Sequence, residues 1–459
     1  MSHKSFMFLG ATILAGVLSF TACAQTPQGP YVPPAFKTSG NIDFDNWRTD
    51  FASRAVNQAK KDPSIIEGML NNLTPNSQTI ALNEAQPEFV KPVWQYINLA
   101  VNSQRIQIGK EKYVQNINKL SDISMKTGVP LEFAISIWGM ETAYGTNKGN
   151  VDVVRALATF AYKGRRTQLG ETELLAIADI LQNNYATREQ LIGSWAGAMG
   201  HTQFMPSSYL TKAIDGDKDG NRDIWNNQID ALASTMNFLK LSGWQNNEPW
   251  GIKVKASDKF DFTLADGQMR PLSFWKQNGI SGEFVGANDD WQSRLLIPAG
   301  ANGPIFLVGA NYNAIRAYNA SDSYSLSVAF LADIIAGHGS LPTNWPVSDP
   351  PLSRTNTIEV QNYLIKLGLL NDNADGQAGS KTRAALQAFQ KSRGLLADGY
   401  VNAKALNDMR FAMGVVPTNP NIEYANSIKK IDPANVVIEN PDGENGMPVK
   451  MKWPRAKQN

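Results

Sequence analysis

Between Pro130 and Gly145 the chain carries the segment that most narrows what it can fold into. Leu131, Phe133, Ala134, Ile135, Ile137, Trp138 and Met140 put apolar side chains on nearly every face of a helix running from Leu131 to Tyr144. A helix apolar all round offers no face to water and must be enclosed by other elements. Gly128-Val129-Pro130 breaks the chain before it. Pro130 suits the first helical turn, where its missing N–H has no intrahelical partner to lose. Near the far end of this enclosed helix stands Glu141. A carboxylate in such surroundings is costly to keep charged. Burial favours the protonated form, and a protonated carboxyl is a general acid. The bland alternative is a glutamate that reaches solvent or pairs with an arginine.

The elements needed to enclose this helix are legible on both sides of it. Periodic apolar residues begin at Phe44. Asn98–Lys126 reads as one or two long amphipathic helices, and helical patterns continue through Val151–Phe160, Glu171–Asn183 and Ile229–Leu241. After Gly243 the pattern changes. Short alternating runs, Lys253-Val254-Lys255, Phe260-Asp261-Phe262-Thr263-Leu264 and Arg294-Leu295-Leu296-Ile297, with Gly and Asp turns between them, predict a small β-rich insertion over 250–310. A helix from Ser323 to Ala336 follows. The expected fold class is mainly α, in the α+β sense. The expected organisation is a signal peptide (1–24), a flexible leader (25–40), a catalytic domain (41–341), a Pro-rich linker (342–354), a compact helical unit (355–412) and an extended tail (413–459). A chain of 459 residues has room for these units.

The N-terminus points out of the cytoplasm. Lys4 precedes an apolar run from Phe6 to Phe20, then Thr21-Ala22-Cys23-Ala24-Gln25, the order of a secretory signal. The run is short for a transmembrane helix. Cys23, the single cysteine, excludes an internal disulfide. It admits two readings: a lipidated first residue of a lipoprotein on the outer membrane, or a bystander with cleavage after Ala24. One acyl chain alone would anchor the chain only loosely. The charge balance, 43 basic against 41 acidic residues, offers nothing to nucleic acid.

Two further segments accompany Glu141-Thr142-Ala143-Tyr144-Gly145. One is Ala196-Gly197-Ala198-Met199-Gly200-His201-Thr202-Gln203-Phe204-Met205-Pro206-Ser207-Ser208-Tyr209, preceded by Gly193-Ser194-Trp195. The other is Tyr318-Asn319-Ala320-Ser321, with Tyr324 three residues on. Small residues permit close approach of backbone to backbone or ligand, and Ser194 and Gln203 offer hydrogen bonds there. Together and in this order the three segments resemble the membrane-bound lytic transglycosylase B family over about residues 40–340. The resemblance implies a lysozyme-like catalytic domain acting on peptidoglycan glycan strands in the periplasm of a Gram-negative bacterium. It implies that Glu141 protonates the glycosidic oxygen between N-acetylmuramic acid and N-acetylglucosamine. Glu141 would then take the proton of the muramic acid 6-hydroxyl, giving a 1,6-anhydro end with no cofactor and no second carboxylate. Ordinary glycosidases need two carboxylates. By the same resemblance Ser194 binds the N-acetyl group or orients the acid. Gln203, Tyr318, Asn319 and Tyr324 line the sugar subsites, with Tyr324 nearest the reacting centre, and Arg165 and Arg166 stand by the cleft. The chain departs from the family at Phe238, where a tyrosine is common.

Asp215, Asp217, Asp219 and Asn221, with Gly220 for the sharp turn, match the first half of an EF-hand loop. The twelfth position is Asn226 rather than Glu, and Asp230 is the candidate closing ligand for a structural Ca2+. The plain alternative is an Asp/Gly-rich surface turn. Within 358–409, Val360-Gln361, Leu364, Leu367-Gly368, Asp375-Gly376, Thr382-Arg383, Leu386, Phe389-Gln390, Gly394-Leu395 and Asp398-Gly399 resemble a small three-helix peptidoglycan-binding domain. A tethered binding module of this kind raises the local concentration of the catalytic domain on a polymer. Three rivals stand beside this reading. A water-using muramidase would need Asp152 or Asp322 as partner carboxylate. A non-catalytic scaffold would have no need of Glu141. A calcium sensor would need the loop to be complete and flanked by paired helices.

Overall fold

The structure is a computed structural model, and it describes residues 29–84, 91–163 and 167–415. The signal segment with Cys23, the Arg165–Arg166 pair and the tail from residue 416 lie outside the described residues.

Two helical cores lie side by side. The enclosed helix spans Leu131–Thr142 and is buried on all sides. It packs against Ser103–Thr127, Gln228–Leu241 and Asp322–Ile335; Val93–Ala100 packs in turn on Asp322–Ile335, and Ala310–Tyr318 on Gln228–Leu241 and Asp322–Ile335. The long amphipathic stretch is thus two helices, broken at Val101, whose φ of −104° and ψ of 60° leave the helical region. Asn102 then caps the second helix by accepting from the Arg105 N–H. Ser136 donates to the Val328 carbonyl at 2.7 Å, a buried polar group satisfied across the contact between Leu131–Thr142 and Asp322–Ile335. The second core is built by Ile42–Asn57, Pro63–Leu70, Val153–Tyr162, Thr167–Gln182 and Pro206–Lys212 around Phe51, Ile66, Leu157, Leu174 and Tyr209.

The insertion is a five-stranded antiparallel sheet in the order Arg270–Pro271, Gln292–Leu296, Ile305–Val308, Gly251–Ala256, Ile280–Ser281. Ile252 pairs with Leu307, and Leu295 with Leu307 from the other side. Trp275 and Leu272 of the short helix Leu272–Gln277 cover this sheet. The alternating run at 260–264 is not a strand. Asp261 accepts from the Thr263 N–H and turns Phe262–Leu264 into a 3-10 helix that buries Phe262. Here a side-chain cap competes with sheet pairing and wins.

Residues 29–40 contain no helix or strand but are held, not free. Tyr31 donates to Glu67 at 2.8 Å, and the buried Arg48 guanidinium donates to the Lys37 carbonyl at 2.7 Å. The Pro-rich stretch at 342–354 is held too. Trp345 is buried and packs on Trp94 with ring centroids 6.0 Å apart. The C-terminal helices Arg354–Lys366, Ser380–Ser392 and Ala403–Ala412 close their own core of Val360, Leu364, Leu386, Phe389, Leu406 and Met409.

This unit is docked on the rest of the chain. Asp398 accepts from the Ala301 N–H at 3.0 Å, and Gln387 donates to the Phe262 carbonyl at 3.1 Å. Tyr400 joins the core that contains the enclosed helix. Gly300, at φ +71°, sits under Asp398 and Tyr400, where an added Cβ would lie 2.7 Å from a carboxylate oxygen. Gly300→Ala therefore meets both backbone strain and a clash, a cost of about 1–3 kcal/mol. The expected outcome is faster proteolysis in the 342–352 stretch with little change in secondary structure. Equal cleavage rates in the variant and the parent would show that this contact does not hold the unit.

Candidate functional site

Glu141 is the penultimate residue of its helix. The turn that ends the helix accounts for the residues of the motif around it. Ala143, Tyr144 and Gly145 have φ of 47°, 61° and 87°, three consecutive left-handed residues, two of them not glycine. Such backbone is costly and persists where its surroundings over-determine it. Here they do. Thr142 Oγ1 donates to the His201 carbonyl at 2.6 Å and accepts the Gly145 N–H at 2.9 Å. The Tyr144 hydroxyl donates to the Arg105 carbonyl at 2.7 Å. Its ring fills a slot between two helices in which neither side has a Cβ. Added at Gly139, a Cβ would stand 2.6 Å from the ring; added at Gly109, 2.5 Å from its hydroxyl. Arg105 also donates to the Gly139 carbonyl at 3.0 Å. Trp138 Nε1 donates to His201 Nδ1 at 3.1 Å, and burial holds His201 neutral by lowering its pKa to about 4.

Glu141 keeps partial access to solvent. The protein crowded around it raises its pKa to about 7, and the hydrogen bond from Tyr324 opposes that rise. The Tyr324 hydroxyl stands 2.6 Å from Glu141 Oε1. Tyr324 is itself buried, and burial first, then the charge of Glu141, raises its pKa well above the ordinary value. It is therefore a fixed donor. Ser321 caps the helix by accepting the Tyr324 N–H, and Asn319 Oδ1 accepts the Ser321 N–H at 3.1 Å. Tyr318 donates to the Thr202 carbonyl and packs on Phe238 at 4.6 Å between centroids. Burial and the charge of Glu141 raise its pKa as well.

Of the residues read from sequence, then, the fold brings Tyr318 and Tyr324 to Glu141. Asn319 is exposed and braces the turn before Tyr324. Ser194 and Gln203 stand on the neighbouring loop, which joins the site through His201 and Thr142. Ser194 Oγ accepts the Ala198 N–H at 3.1 Å. Gln203, at φ 55°, donates to the Gly200 and Lys148 carbonyls. Sequence reasoning missed Tyr96. It projects from Val93–Ala100, stays partly exposed, and is coupled by charge to both Glu141 and Tyr324. Nothing in Trp94-Gln95-Tyr96 distinguishes it from an ordinary aromatic of an amphipathic helix. The rival carboxylates are engaged elsewhere. Asp152 caps Val153–Tyr162 and pairs with Arg188 at 2.7 Å. Asp322 pairs with Arg316 and accepts the Tyr312 hydroxyl at 2.9 Å.

The acidic loop converges as a hard-oxygen set. Carboxylate oxygens of Asp215, Asp217, Asp219 and Asp230 lie within 4.8 Å of one another. Asp215 accepts the Lys218 and Gly220 N–H groups, and Asp230, buried at the start of Gln228–Leu241, accepts those of Gly216 and Asp223. Four carboxylates at this spacing suit a cation the size of calcium, with carbonyl and water oxygens completing its six to eight ligands. Asn221 lies on the same loop and is exposed.

Comparison with known proteins identifies the families of the two domains. The family model of the transglycosylase SLT domain matches residues 43–333, and that of a putative peptidoglycan binding domain matches 353–409. Membrane-bound lytic murein transglycosylase B of Escherichia coli (strain K12) is 26% identical over 301 residues, 62% of this chain and 81% of that protein. The crystal structure of SltB3 from Pseudomonas aeruginosa in complex with NAG-anhNAM-pentapeptide is 39% identical, covers 80% of this chain and 99% of that one, and has a TM-score of 0.75. Soluble lytic transglycosylase SltB1 from Pseudomonas aeruginosa is 26% identical, with 64% and 98% coverage and a TM-score of 0.58.

The slot for Tyr144 makes a sharp prediction. Gly139→Ala pushes a methyl group into the ring, which should destabilise the fold by about 1–3 kcal/mol and lower turnover by displacing Glu141. Thermal unfolding and initial rates check this; an unshifted midpoint would show that the slot has room to spare.

Proposed function

The chain belongs to the transglycosylase SLT family, lyases that act on peptidoglycan, and from that premise we propose that it cleaves the β-1,4 bond between N-acetylmuramic acid and N-acetylglucosamine by a non-hydrolytic route. Glu141 donates its proton to the glycosidic oxygen as the C1–O bond breaks. The muramic acid 6-hydroxyl then attacks C1 and returns its proton to Glu141. One 1,6-anhydro end forms, no water is consumed, and the acid is regenerated. The observation that carries this reading is the environment of Glu141. Its pKa of about 7 suits both halves of the cycle. The groups acting on it, among the described residues, are tyrosines and not a second carboxylate. Tyr324 orients the carboxyl and supplies a dipole toward the developing positive charge at C1. Tyr318, Tyr96, Asn319, Gln203 and Ser194 are assigned to the sugar subsites, and Arg165 and Arg166 to the rim.

Calcium, when bound by Asp215, Asp217, Asp219, Asn221 and Asp230, would neutralise the clustered carboxylates and stiffen the loop ahead of Gln228–Leu241. We place the chain in the periplasm, where its substrate is. It is held at the outer membrane if Cys23 is lipidated and soluble if cleavage follows Ala24.

Mass analysis of sacculus digests tests the chemistry. Anhydromuramic ends from the wild type and a loss of at least about 10³-fold in Glu141→Gln are expected. Reducing ends would mean hydrolysis and a second carboxylate. The pH profile follows from the direction of the shift. A raised carboxyl pKa leaves the acid form present below about 7 and lost above it, so kcat/KM should fall on an alkaline limb near that value. Tyr324→Phe removes the bond that favours the ionised carboxylate. The limb should move to higher pH while kcat drops by roughly 10–100-fold; a limb that moves down, or does not move, would remove Tyr324 from this role. Calcium at about a hundred times its Kd should stabilise the folded chain by about 2.7 kcal/mol, an effect abolished by Asp217→Asn with Asp219→Asn. An unfolding midpoint indifferent to calcium would leave the loop a plain surface turn.

A further inference from the structure

Two helices end with carbonyls that their own turns leave unused. Ala100 is the last residue of Val93–Ala100, so its carbonyl has no partner within the helix. Gly139 lies near the end of Leu131–Thr142. The Ala143 N–H, which a continuing helix would give to Gly139, goes to the Trp138 carbonyl instead. One side chain answers both. Arg105 Nη1 donates to the Ala100 carbonyl, and Arg105 Nε donates to the Gly139 carbonyl at 3.0 Å. A cation at the C-terminal ends of two helices also meets the negative ends of their dipoles.

Arg105 is itself held in place. It lies in the first turn of Ser103–Thr127. Its N–H goes to the Asn102 side chain at 2.9 Å, and its carbonyl accepts the Tyr144 hydroxyl at 2.7 Å. The side chain is half-buried. Burial is the largest effect on its pKa and lowers it; the groups that oppose this are Tyr144 and Tyr96, not a carboxylate. Desolvating a charge without a counter-ion is a poor source of stability. What the guanidinium offers is geometry. Its planar fork fixes two acceptors at one spacing, which the single ammonium of a lysine does not.

The two helices joined in this way bear unequal restraints. Glu141 and its turn are also fixed by Thr142, Tyr144 and Tyr324. Val93–Ala100 packs chiefly on Asp322–Ile335 rather than on the helix of Glu141. Tyr96 stands on it, partly exposed, within reach of the charges of Glu141 and Arg105. We propose that Arg105 is a positioning residue for the cleavage: it holds the helix of Tyr96 at a fixed spacing from Glu141, so that Tyr96 meets the sugar where the acid can reach it. Arg105 acts through Tyr96 and touches no substrate. The inference rests on the reading that glycan binds beside Glu141.

A double-mutant cycle between Arg105 and Tyr96 tests this. Arg105→Met keeps an apolar stem and loses both carbonyl bonds. Solubilised glycan strands stripped of peptide are titrated against the full chain carrying Glu141→Gln. With Glu141 intact, kcat and KM are measured by counting all new chain ends, anhydro or reducing. Arg105→Met is expected to weaken binding and raise KM by roughly tenfold, with kcat changed less than about threefold. In a Tyr96→Ala background the same substitution should cost less than about twofold. Arg105→Lys, able to reach one carbonyl, should recover part of the loss. Lys119→Gln, which removes an exposed charge from the same helix, should leave binding and KM as they were. Equal losses with and without Tyr96, or a folded Arg105→Met chain that binds like the parent, overturn the inference. If Arg105→Met melts too low to assay, the cycle is read with Arg105→Lys, whose loss of about threefold is expected only while Tyr96 is present. Coupling in binding without cleavage by the parent would overturn the chemistry assigned to Glu141 and support the spacing; cleavage without coupling would do the reverse.

Discussion

The structure turns on one uncomfortable group, a carboxyl at the end of a helix that water does not surround. Taking Glu141 out of water disfavours its charge and raises its pKa to about 7. One hydrogen bond, from Tyr324 at 2.6 Å, keeps the shift from going further. The opposition of those two effects leaves a group able to give and recover a proton near neutrality. The rest of the molecule can be understood as what is required to hold that opposition in place. Ser136 ties the enclosed helix to Val328 on the helix that carries Tyr324, so the two partners are set in register by a buried polar bond several residues from the chemistry.

The turn after Glu141 is the second requirement. Three left-handed residues in succession persist because Thr142 donates to the His201 carbonyl and Tyr144 to the Arg105 carbonyl. This gives the loop of small residues a structural reason. Its glycines and alanines let the chain fold back under the helix that carries Glu141, where the His201 carbonyl receives Thr142 and neutral His201 receives Trp138. Ser194 and Gln203 spend hydrogen bonds on that same loop. Their bearing on a substrate therefore comes with a bearing on the loop's shape.

The C-terminal unit is a small helical domain by its own core and a wall of the catalytic domain by its docking. A stretch whose composition reads as a linker is pinned by Trp345 on Trp94, and the N-terminal stretch is pinned through Arg48 and Tyr31. Proline-rich composition excludes helix and strand; it does not exclude packing, since one buried tryptophan is enough to fasten an irregular segment.

The sequence by itself determined most of the helices and singled out Glu141. A helix apolar on every face can only be central, and that pattern leaves the glutamate at its end either desolvated or turned to solvent or an arginine. The clustering of Asp215, Asp217 and Asp219 is equally local, because alternate residues of a tight turn converge their side chains whatever the rest of the fold does. Tertiary structure alone decided what faces the acid. Tyr324 lies 183 residues further along the chain, and Tyr96 comes from a helix whose pattern looks like any other amphipathic surface. Tertiary structure alone also turned Asp398 rather than Asp375 toward the catalytic domain, whereas the Asp261 cap that made Phe262 helical is local and lies hidden in the alternating pattern. The division has one physical cause. Periodicity and burial are properties of neighbours in sequence, whereas the partner of a buried polar group is whichever chain segment packing delivers.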